Sequence, residues 1–157
     1  MLRLVPMTQS EFEAYLQSAI REYADEKVRA GNWQPAEAMQ RAEQEYNQLL
    51  PDGLATRNEH LYSIVDDART RPVGMIWFER QEGSAQPVAF LCDFIIYEEF
   101  RRKGYGRRAL AALETKVKEM GLDKISLQVF GHNRAALALC SKMGYEVTNI
   151  LMSKEIA

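Results

Sequence analysis

Arg101-Arg102-Lys103-Gly104-Tyr105-Gly106-Arg107-Arg108 is the stretch from which the fold can be inferred. It follows a strand-like apolar run, Phe90 to Tyr97, and leads into a helical pattern from Ala109 to Met120. A strand, a glycine-bearing turn and a helix in this order form an anion site, because backbone N–H groups and the helix N-terminus face the ligand. Gly104 and Gly106 let the backbone approach closely or adopt positive φ, and five basic residues in eight positions supply charge for a polyphosphate. The alternative is a basic loop whose glycines only make a turn.

The same stretch also fits a second phosphate motif. Gly104-x-Gly106-x-x-Ala109 matches the dinucleotide fingerprint G-x-G-x-x-G/A, which requires an early βαβ unit and an acidic residue after its second strand. Here Asp123 precedes the next predicted strand, Lys124 to Val129. The roughly fifty remaining residues are too few for a doubly wound sheet whose units take about thirty each. The Walker pattern G-x-x-x-x-G-K-[ST] is absent, so a nucleotide-dependent enzyme is disfavoured.

A family resemblance accounts for this loop together with a later segment. Arg101-x-x-Gly104-x-Gly106 resembles the [QR]-x-x-G-x-[GA] pyrophosphate loop of the GNAT superfamily, the acyl-CoA-dependent N-acyltransferases. Asn133-Arg134-Ala135-Ala136-Leu137-Ala138-Leu139-Cys140-Ser141-Lys142-Met143-Gly144-Tyr145 resembles the family's N-x-x-A-x-x-[LF]-Y-x-K-x-G-[FY] segment, with Cys140 in the place of the usual tyrosine. Within the superfamily, the whole chain is most similar to small bacterial acetyltransferases of unassigned substrate.

The composition is that of one ordinary globular domain, which we expect to span residues 1–157. The net charge is −2, so no overall basic field marks a nucleic-acid-binding protein. No apolar run approaches the roughly 18 residues of a membrane span, and the N-terminus lacks the apolar region of a signal peptide. Cys92 and Cys140 have neither metal-ligand nor disulfide spacing, so we expect a cytoplasmic location and no metal.

The apolar pattern predicts the element order β-α-α-β-β-β-α-β-α-β. Ser10-x-x-Glu13 predicts the capping box of the first helix, and Pro35 opens the second. Gln81 to Pro87 reads as a polar hairpin loop, and Tyr145 to Ile156 as one or two closing strands. The residues alone indicate an α/β fold with a mixed sheet. The resemblance implies a single-domain GNAT-like fold, in which helices flank a mixed central β-sheet.

The resemblance also implies that acetyl-CoA is the co-substrate. The family binds the pantetheine arm along the strand before the loop, which corresponds here to Phe94, Ile95 and Ile96. Asn133 matches the asparagine that bonds this arm. The prediction rests on the glycines and backbone amides of the loop. Arg101 and Lys103, taken individually, are as compatible with being solvated surface charges as with contacting phosphate. The residues that correspond to the pyrophosphate site are Arg101, Arg102, Lys103, Gly104, Tyr105, Gly106 and Arg107.

Asp93 is a carboxylate in an otherwise apolar strand. Alternation places it on one face with Ile95 and Tyr97. A buried carboxylate needs partners or a raised pKa, which is typical of a general base or an amine anchor. The alternative is a structural aspartate that partner residues satisfy. The family's polyamine-acetylating members have an L-E-D-F run here, whereas this chain reads Leu91-Cys92-Asp93-Phe94, which puts a polyamine substrate in doubt.

Cys140 and Tyr145 are candidates for the group that protonates the departing thiolate, because a tyrosine takes this role in the family. Three alternatives are open for protonating the thiolate. Cys140 donates the proton through a water, the hydroxyl of Tyr145 or Tyr105 donates it in place of Cys140, or the reaction uses no acid. Otherwise Cys140 is a small buried apolar residue. His132 is predicted to cap or pack at the helix start. Four aromatic residues line an acceptor pocket or are ordinary core residues: Tyr15, Tyr23, Trp33 and Trp77.

The resemblance therefore implies an N-acetyltransferase that transfers an acetyl group from acetyl-CoA to a primary amine by direct attack. The amine belongs to a small molecule or to a peptide or protein. A non-catalytic acyl-CoA-binding module of the same fold is the alternative, because Cys140 stands where the family has tyrosine. Acetyl-CoA and the amine are the expected partners, a homodimer is left open, and neither nucleic acid nor a membrane is expected.

Overall fold

A computed structural model describes residues 1–82 and 85–157 of the chain. Helices and strands follow one another as expected for an α/β fold. No helix within the described residues is both long enough and apolar enough to cross a membrane. The elements are β1 (Leu2–Pro6), α1 (Gln9–Arg29), α2 (Pro35–Leu49), β2 (Glu59–Asp66), β3 (Gly74–Gln81), β4 (Val88–Ile96), α3 (Tyr105–Glu119), β5 (Ile125–Leu127) and α4 (Arg134–Lys142).

The strands form one sheet in the order β1-β2-β3-β4-β5. The first four strands pair antiparallel, and β5 pairs parallel to β4. A parallel pair needs a crossover connection, and α3 supplies it between β4 and β5. The mixed central sheet with flanking helices that the sequence predicted is therefore confirmed.

Helices cover both faces of the sheet. On one face, Phe12 of α1 packs with Leu61 of β2 and Trp77 of β3 in a buried cluster. On the other face, Leu113 of α3 packs with Phe78 of β3. Trp77 and Phe78 are neighbours in sequence and point to opposite faces, as the pleat of a strand requires. The sheet consequently separates an α1–α2 layer from a layer that contains α3.

Two helix starts differ from the sequence prediction. Thr8 caps α1, because its hydroxyl accepts the Glu11 N–H while the Glu11 carboxylate accepts the Thr8 N–H. The capping box is therefore not Ser10-x-x-Glu13, since the helix begins two residues earlier at Gln9. The α3 helix begins at Tyr105 rather than at Ala109.

The closing strands that were predicted between Tyr145 and Ile156 are not present. Residues 145–157 have no regular secondary structure, although they contain β-branched and apolar side chains. A strand forms where its backbone groups find a partner, and in the described part of the chain none pairs with this segment. The second edge of β5 is consequently open. The predicted Gln81–Pro87 loop includes residues 83–84, which lie outside the described residues.

Candidate active site

The candidate site is a groove at the point where β4 and β5 separate. The two strands pair only from Ala89 to Leu91 and from Ile125 to Leu127. Beyond these residues they diverge and enclose a groove of about 260 Å³ between β4, α3, α4 and the segment after β5. The groove brings together four of the residues predicted from the sequence, namely Asp93, Phe94, Asn133 and Cys140.

Only some of the β4 backbone groups beside this groove have hydrogen-bond partners. Because pairing with β5 stops at Leu91, residues 92–96 have no partner strand on that side among residues 1–82 and 85–157. The Phe94 N–H donates to Asp93 Oδ1 at 2.9 Å, and the Ile96 carbonyl accepts from Arg101 Nε at 2.8 Å. An extended amide-bearing chain can add its hydrogen bonds to such a strand edge. The structure therefore leaves the edge of β4 beside Phe94, Ile95 and Ile96 open, and their contact with the pantetheine arm stays a prediction.

A β-bulge in β4 positions Asp93. Asp93 pairs with Trp77 and Leu91 pairs with Phe78, so Cys92 between them has no partner on β3. A bulge bends its strand and redirects the neighbouring side chains. Asp93 lies on the sheet face that α1 covers, where the Tyr15 hydroxyl donates to its Oδ2 at 2.7 Å.

Two opposing effects set the ionisation of Asp93. Burial raises the pKa of Asp93, whereas the hydrogen bonds from Tyr15 and from the Phe94 N–H lower it. Burial is the larger effect, so the pKa of Asp93 lies above its ordinary value. Burial and the Asp93 carboxylate also raise the pKa of Tyr15, which therefore keeps its proton and remains a donor. A carboxylate in this setting can accept a proton or hold an ammonium group.

Aromatic and acidic side chains surround Asp93 on the α1–α2 face. The rings of Tyr46 and Trp77 lie 6.4 Å apart, and burial raises the pKa of Tyr46 to about 12. The Trp77 ring N–H donates to Glu59 at 2.8 Å. Burial and the neighbouring Glu79 raise the pKa of Glu59 to about 7. Trp77 and Glu59 are buried, so these side chains form the packed surroundings of Asp93 on this face.

The four predicted acceptor-pocket aromatics divide into two pairs. Tyr15 and Trp77 lie in one buried cluster, beside Asp93. Tyr23 and Trp33 pack edge to face at 5.5 Å and belong to a separate cluster between α1 and α2. The structure thus brings Tyr15 and Trp77 to the candidate site and gives Tyr23 and Trp33 packing contacts.

The loop before α3 has the geometry of an anion site. Gly104 has φ of 81°, and a Cβ at this position would meet no atom within 4 Å, so the space beside its backbone is open. The first hydrogen bond of α3 runs from the Arg108 N–H to the Gly104 carbonyl. The N–H groups of Tyr105, Gly106 and Arg107 therefore have no partner within the helix. Together with the helix dipole they suit a diphosphate, so the residues present fit the CoA diphosphate.

The side chains of this loop have distinct roles. Arg101 is exposed and ties the loop to the end of β4 through its bond to the Ile96 carbonyl. Arg102, Lys103 and Arg107 are exposed and supply positive charge. The Tyr105 side chain is buried instead: its hydroxyl donates to Asp66 and accepts from Arg69. Tyr105 can therefore offer an anion only its backbone N–H, and its hydroxyl has no access to a thiolate in the groove. The hydrogen bond from Tyr105 to Asp66 also anchors the start of α3 to β2.

Asn133 and Cys140 lie on the α4 wall of the groove. Asn133 caps α4, because its Oδ1 accepts the Ala136 N–H at 3.1 Å. Asn133 lines the groove, and its amide carries an Nδ2 donor besides the Oδ1 that caps the helix. Cys140 is buried, and burial raises the pKa of its thiol, so the thiol stays protonated at neutral pH. Cys140 can therefore donate a proton but is poorly placed to act as a thiolate.

Tyr145 and His132 lie outside this constellation. The Tyr145 side chain lines a neighbouring groove of about 540 Å³ with residues of α3 and β5. Its hydroxyl is buried without a hydrogen-bond partner in the described part of the chain. The assignment of Tyr145 as an acid consequently stays a prediction. The His132 ring stacks on Phe130 at 5.8 Å, in line with the packing role expected for it.

Two features of the site are absent from the sequence interpretation. The hydrogen bond between Tyr15 and Asp93 joins residues far apart in the chain, and only the packing of α1 on β4 reveals it. Tyr15 lies three residues after Phe12 on the buried face of α1, so helical spacing alone could have placed it at the sheet. The bulge at Cys92 has no sequence signal here, because no glycine marks it.

Comparisons with known proteins agree with this geometry. The sequence model of the acetyltransferase (GNAT) family matches residues 16–145 of this chain. The uncharacterized N-acetyltransferase YycN of Bacillus subtilis is 40% identical over 155 residues, which cover 99% of each chain. The uncharacterized N-acetyltransferase YdgE of the same organism is 35% identical and covers 98% of this chain and 97% of its own.

Solved structures give the same result for the fold. The crystal structure of YycN has a TM-score of 0.88 to this protein at 39% identity, covering 100% of this chain and 99% of its own. The structure of AAC(6')-Iy in complex with the bisubstrate analog CoA-S-monomethyl-acetylneamine has a TM-score of 0.63 at 14% identity, with 100% and 99% coverage. The second likeness concerns the fold alone.

Proposed function

Because the chain belongs to the acetyltransferase (GNAT) family, we propose that it transfers an acetyl group from acetyl-CoA to a primary amine by direct attack. The observation that carries this proposal is the groove between β4 and β5, which is lined by the carboxylate residue Asp93 and by Leu139, the side chain that lies against Gly106 at the start of α3. Membership of the family also confirms the resemblance inferred from the loop and from the α4 segment.

The donor side of the proposal rests on the loop and on β4. Unpaired N–H groups at the start of α3 suit the CoA diphosphate, and the exposed basic side chains add charge. The free edge of β4 beside Phe94 to Ile96 suits the pantetheine arm, with the Asn133 amide across the groove. In this arrangement the thioester of acetyl-CoA lies near Asp93 and Cys140.

The acceptor side rests on the α1–α2 face. Asp93 receives the amine, and Tyr15 fixes the orientation of its carboxylate. Trp77 and Tyr46 provide the apolar surface beside it. A primary amine of a small molecule or of a peptide or protein fits this description. Because Glu59 and Glu79 lie on the same face, we expect the acceptor to be cationic rather than acidic.

Each residue has one task in the transfer. Asp93 accepts the proton that the ammonium group must lose before its nitrogen attacks the thioester carbonyl carbon. The carbon–nitrogen bond then forms, the carbon–sulfur bond breaks, and the thiolate of CoA leaves. Cys140 gives a proton to that thiolate, directly or through a water, and recovers one from the nitrogen, which must lose its second proton to become an amide. A thiolate leaves readily without this help. Positioning the two reactants in the groove supplies much of the remaining rate.

A non-catalytic acyl-CoA-binding module is the second candidate. It is favoured by one observation, namely that α4 presents the Cys140 thiol to the groove where the family has a tyrosine. Such a module would bind acetyl-CoA through the same loop and would release no CoA when amines are added. Turnover therefore separates the two candidates, and binding alone does not.

Calorimetry tests the donor assignment. Acetyl-CoA and CoA are expected to bind, whereas NAD is not, because the loop opens α3 late in the chain rather than an early dinucleotide-binding unit. Binding of NAD with higher affinity than acetyl-CoA would contradict the assignment and would indicate that the loop is a dinucleotide-binding motif.

Tyr15→Phe is expected to shift the acidic limb of the kcat/KM profile to higher pH. The Tyr15 hydroxyl lowers the pKa of Asp93, so its loss raises that pKa further. Asp93 must be ionised to accept a proton, so activity falls as the pH drops through its pKa, and this fall begins at higher pH in the variant. The affinity for acetyl-CoA should stay the same.

Tyr62→Phe is the matched control for this experiment. It removes one hydroxyl from a half-buried tyrosine that stacks on Phe78, on the opposite face of the sheet. Its pH profile should coincide with that of the wild type. Equal profiles for all three proteins would show that Tyr15 does not act through Asp93.

Cys140→Ala is expected to change kcat less than tenfold, because the thiolate of CoA is already a fair leaving group. General acid terms are typically worth about 10²–10⁴, so a complete loss of turnover with intact acetyl-CoA binding would identify this thiol as an essential proton donor. Cys140→Tyr should raise kcat if the groove accommodates the ring. Both variants are compared by steady-state kinetics beside a measurement of acetyl-CoA affinity.

A cytoplasmic location remains part of the proposal. The two cysteines, Cys92 and Cys140, are both free thiols, which suits a reducing compartment. An acceptor in the same compartment would be a metabolite amine or a protein amine rather than an extracellular one.

A further inference from the structure

Next to the loop before α3 lies a buried pair of polar side chains to which the transfer chemistry gives no task. Asp66 is the last residue of β2 and Tyr105 the first of α3, and they are 7% and 4% exposed. The Tyr105 hydroxyl donates to Asp66 Oδ2, and the Ala68 N–H donates to Asp66 Oδ1 at 3.0 Å. These two bonds lower the pKa of Asp66, so its carboxylate is ionised at neutral pH. A bond from a buried hydroxyl to a carboxylate is a strong and specific link between two elements.

The turn that follows β2 adds further contacts with the same region. Arg69 Nε donates to the Tyr105 hydroxyl at 3.3 Å. The guanidinium groups of Arg69 and Arg71 lie 5.6 Å and 5.2 Å from the centre of the Phe100 ring. The Phe100 ring in turn packs edge to face against Tyr105 at 6.3 Å. The turn after β2 therefore braces the segment that leads into α3.

The loop itself depends on contacts at its two ends. The side chains of residues 101–104 are exposed, and Arg102 and Gly104 both have a left-handed φ, of 62° and 81°. Left-handed φ is unfavourable for a residue with a Cβ, so the surrounding contacts must hold this conformation. Arg101 ties one end of the loop to β4, and Tyr105 ties the other end to β2.

The position of Tyr105 connects this bond with the donor site. Its backbone N–H lies in the first turn of α3 with those of Gly106 and Arg107, and these groups have no acceptor within the helix. Helix ends fray, and ordering a segment at the moment of binding subtracts from affinity. A side-chain bond that fixes the first residue of α3 therefore aligns these N–H groups before an anion arrives.

We propose that Tyr105 and Asp66 are positioning residues for the diphosphate of the acetyl donor. The bond between the hydroxyl and the carboxylate holds the first turn of α3 in the conformation whose free N–H groups face the diphosphate. Both side chains act through the backbone rather than by touching the donor. The inference rests on the proposed function in one respect, since it takes the loop to hold the CoA diphosphate.

Tyr105→Phe tests the proposal, because it keeps the ring and the backbone N–H and removes only the hydroxyl. Calorimetry should show acetyl-CoA binding weakened about tenfold, as expected for the loss of one hydrogen bond to a charged group. The fragment 3′-phospho-ADP carries the diphosphate without the pantetheine arm, and its binding should weaken by the same factor. S-acetylpantetheine carries the arm without the diphosphate and should bind the variant and the wild type equally. Equal weakening of both fragments would show a general loosening of the site and would overturn the proposal.

A double-mutant cycle shows whether the two residues act through one bond. Asp66→Ala should weaken acetyl-CoA binding by a factor similar to that of Tyr105→Phe. The double variant should bind no more weakly than either single variant, because the same bond can be lost only once. Additive losses would show that the two residues act separately and would contradict the proposal.

Ser63→Ala is the control for a general loss of stability. Ser63 lies in the same strand as Asp66 and is 2% exposed, and its hydroxyl donates to Glu11 at 3.0 Å on the opposite face of the sheet. This variant should lower the melting temperature about as much as Tyr105→Phe and leave the affinity for acetyl-CoA unchanged. If Tyr105→Phe lowers the melting temperature but binds acetyl-CoA like the wild type, the bond serves stability alone and the proposal fails.

The two proposals can fail separately, because none of these binding measurements requires acetyl transfer. A protein whose variants bind the donor as expected, but which releases no CoA with any amine, would reject the proposed function alone. An active enzyme in which Tyr105→Phe binds acetyl-CoA normally would reject the positioning role alone.

Discussion

Gly104→Val is expected to weaken acetyl-CoA binding by more than about tenfold. The φ of 81° at Gly104 lies in the left-handed region, where a residue with a Cβ pays roughly 1–2 kcal/mol and a β-branched residue is disfavoured further. A valine therefore forces the backbone to another conformation. The N–H groups at the start of α3 then lose their common direction toward the diphosphate. Calorimetry with acetyl-CoA measures the effect.

Gly31→Val is the matched control for this prediction. Gly31 has φ of 79° and, like Gly104, would place a Cβ in open space, but it follows α1 away from the loop. Both variants therefore carry the same kind of backbone strain and should lose similar thermal stability. If Gly104→Val loses stability as Gly31→Val does but binds acetyl-CoA normally, the loop does not hold the diphosphate.

Gly106 does not have a positive φ, so its role in the loop differs from that of Gly104. Its backbone is helical, and an added Cβ would lie 3.3 Å from Leu139 Cδ2. Its lack of a side chain thus serves the close approach of α3 to α4. Gly106→Val should consequently disturb the packing of the α4 wall as well as the loop, which makes Gly104 the cleaner position for the test.

Asp93→Asn is expected to lower kcat by about 10²–10⁴ while leaving the affinity for acetyl-CoA nearly unchanged. The amide keeps the size of the carboxyl group and a hydrogen bond to Tyr15 but cannot accept the proton of the amine. Steady-state kinetics with a fixed amine and direct titration of acetyl-CoA measure the two effects separately.

Glu59→Gln provides the control for Asp93→Asn. Glu59 is also a buried carboxyl group on the α1–α2 face, and the Trp77 ring N–H binds it much as the Tyr15 hydroxyl binds Asp93. The Glu59 variant should change the melting temperature and, because Glu59 lies on the acceptor face, the KM for the amine, with little effect on kcat. If Asp93→Asn also leaves kcat unchanged, Asp93 is not the base.

The parts of the fold that the sequence predicts are those governed by local chemistry. The loop at Gly104 requires a residue that tolerates positive φ, and the Asn133 segment requires a cap, so both leave a signature in the sequence. The strands of the mixed sheet appear through their apolar pattern. The N-cap of α1 is Thr8 and not the predicted Ser10, because neighbouring residues compete for the same helix start.

The parts that the sequence does not predict depend on contacts between distant residues. The bond between Tyr15 and Asp93 requires α1 to lie over β4, and the bulge at Cys92 depends on the register with β3. The closing strands were predicted from apolar residues between Tyr145 and Ile156, but a strand also needs an edge to pair with. The second edge of β5 is open, yet no strand in the described part of the chain pairs with this segment, which a pattern of residues cannot reveal.

An amine-dependent turnover assay tests the central claim most directly. The protein is mixed with acetyl-CoA and pooled small amines, polyamines and peptides, and both CoA release and acetylated products are measured, with Asp93→Asn in parallel. We predict that at least one primary amine gives CoA release matched by its N-acetylated product, and that Asp93→Asn lowers this rate at unchanged acetyl-CoA affinity. Tight binding of acetyl-CoA with no amine-dependent release of CoA from any pool would contradict the account and indicate a binding module.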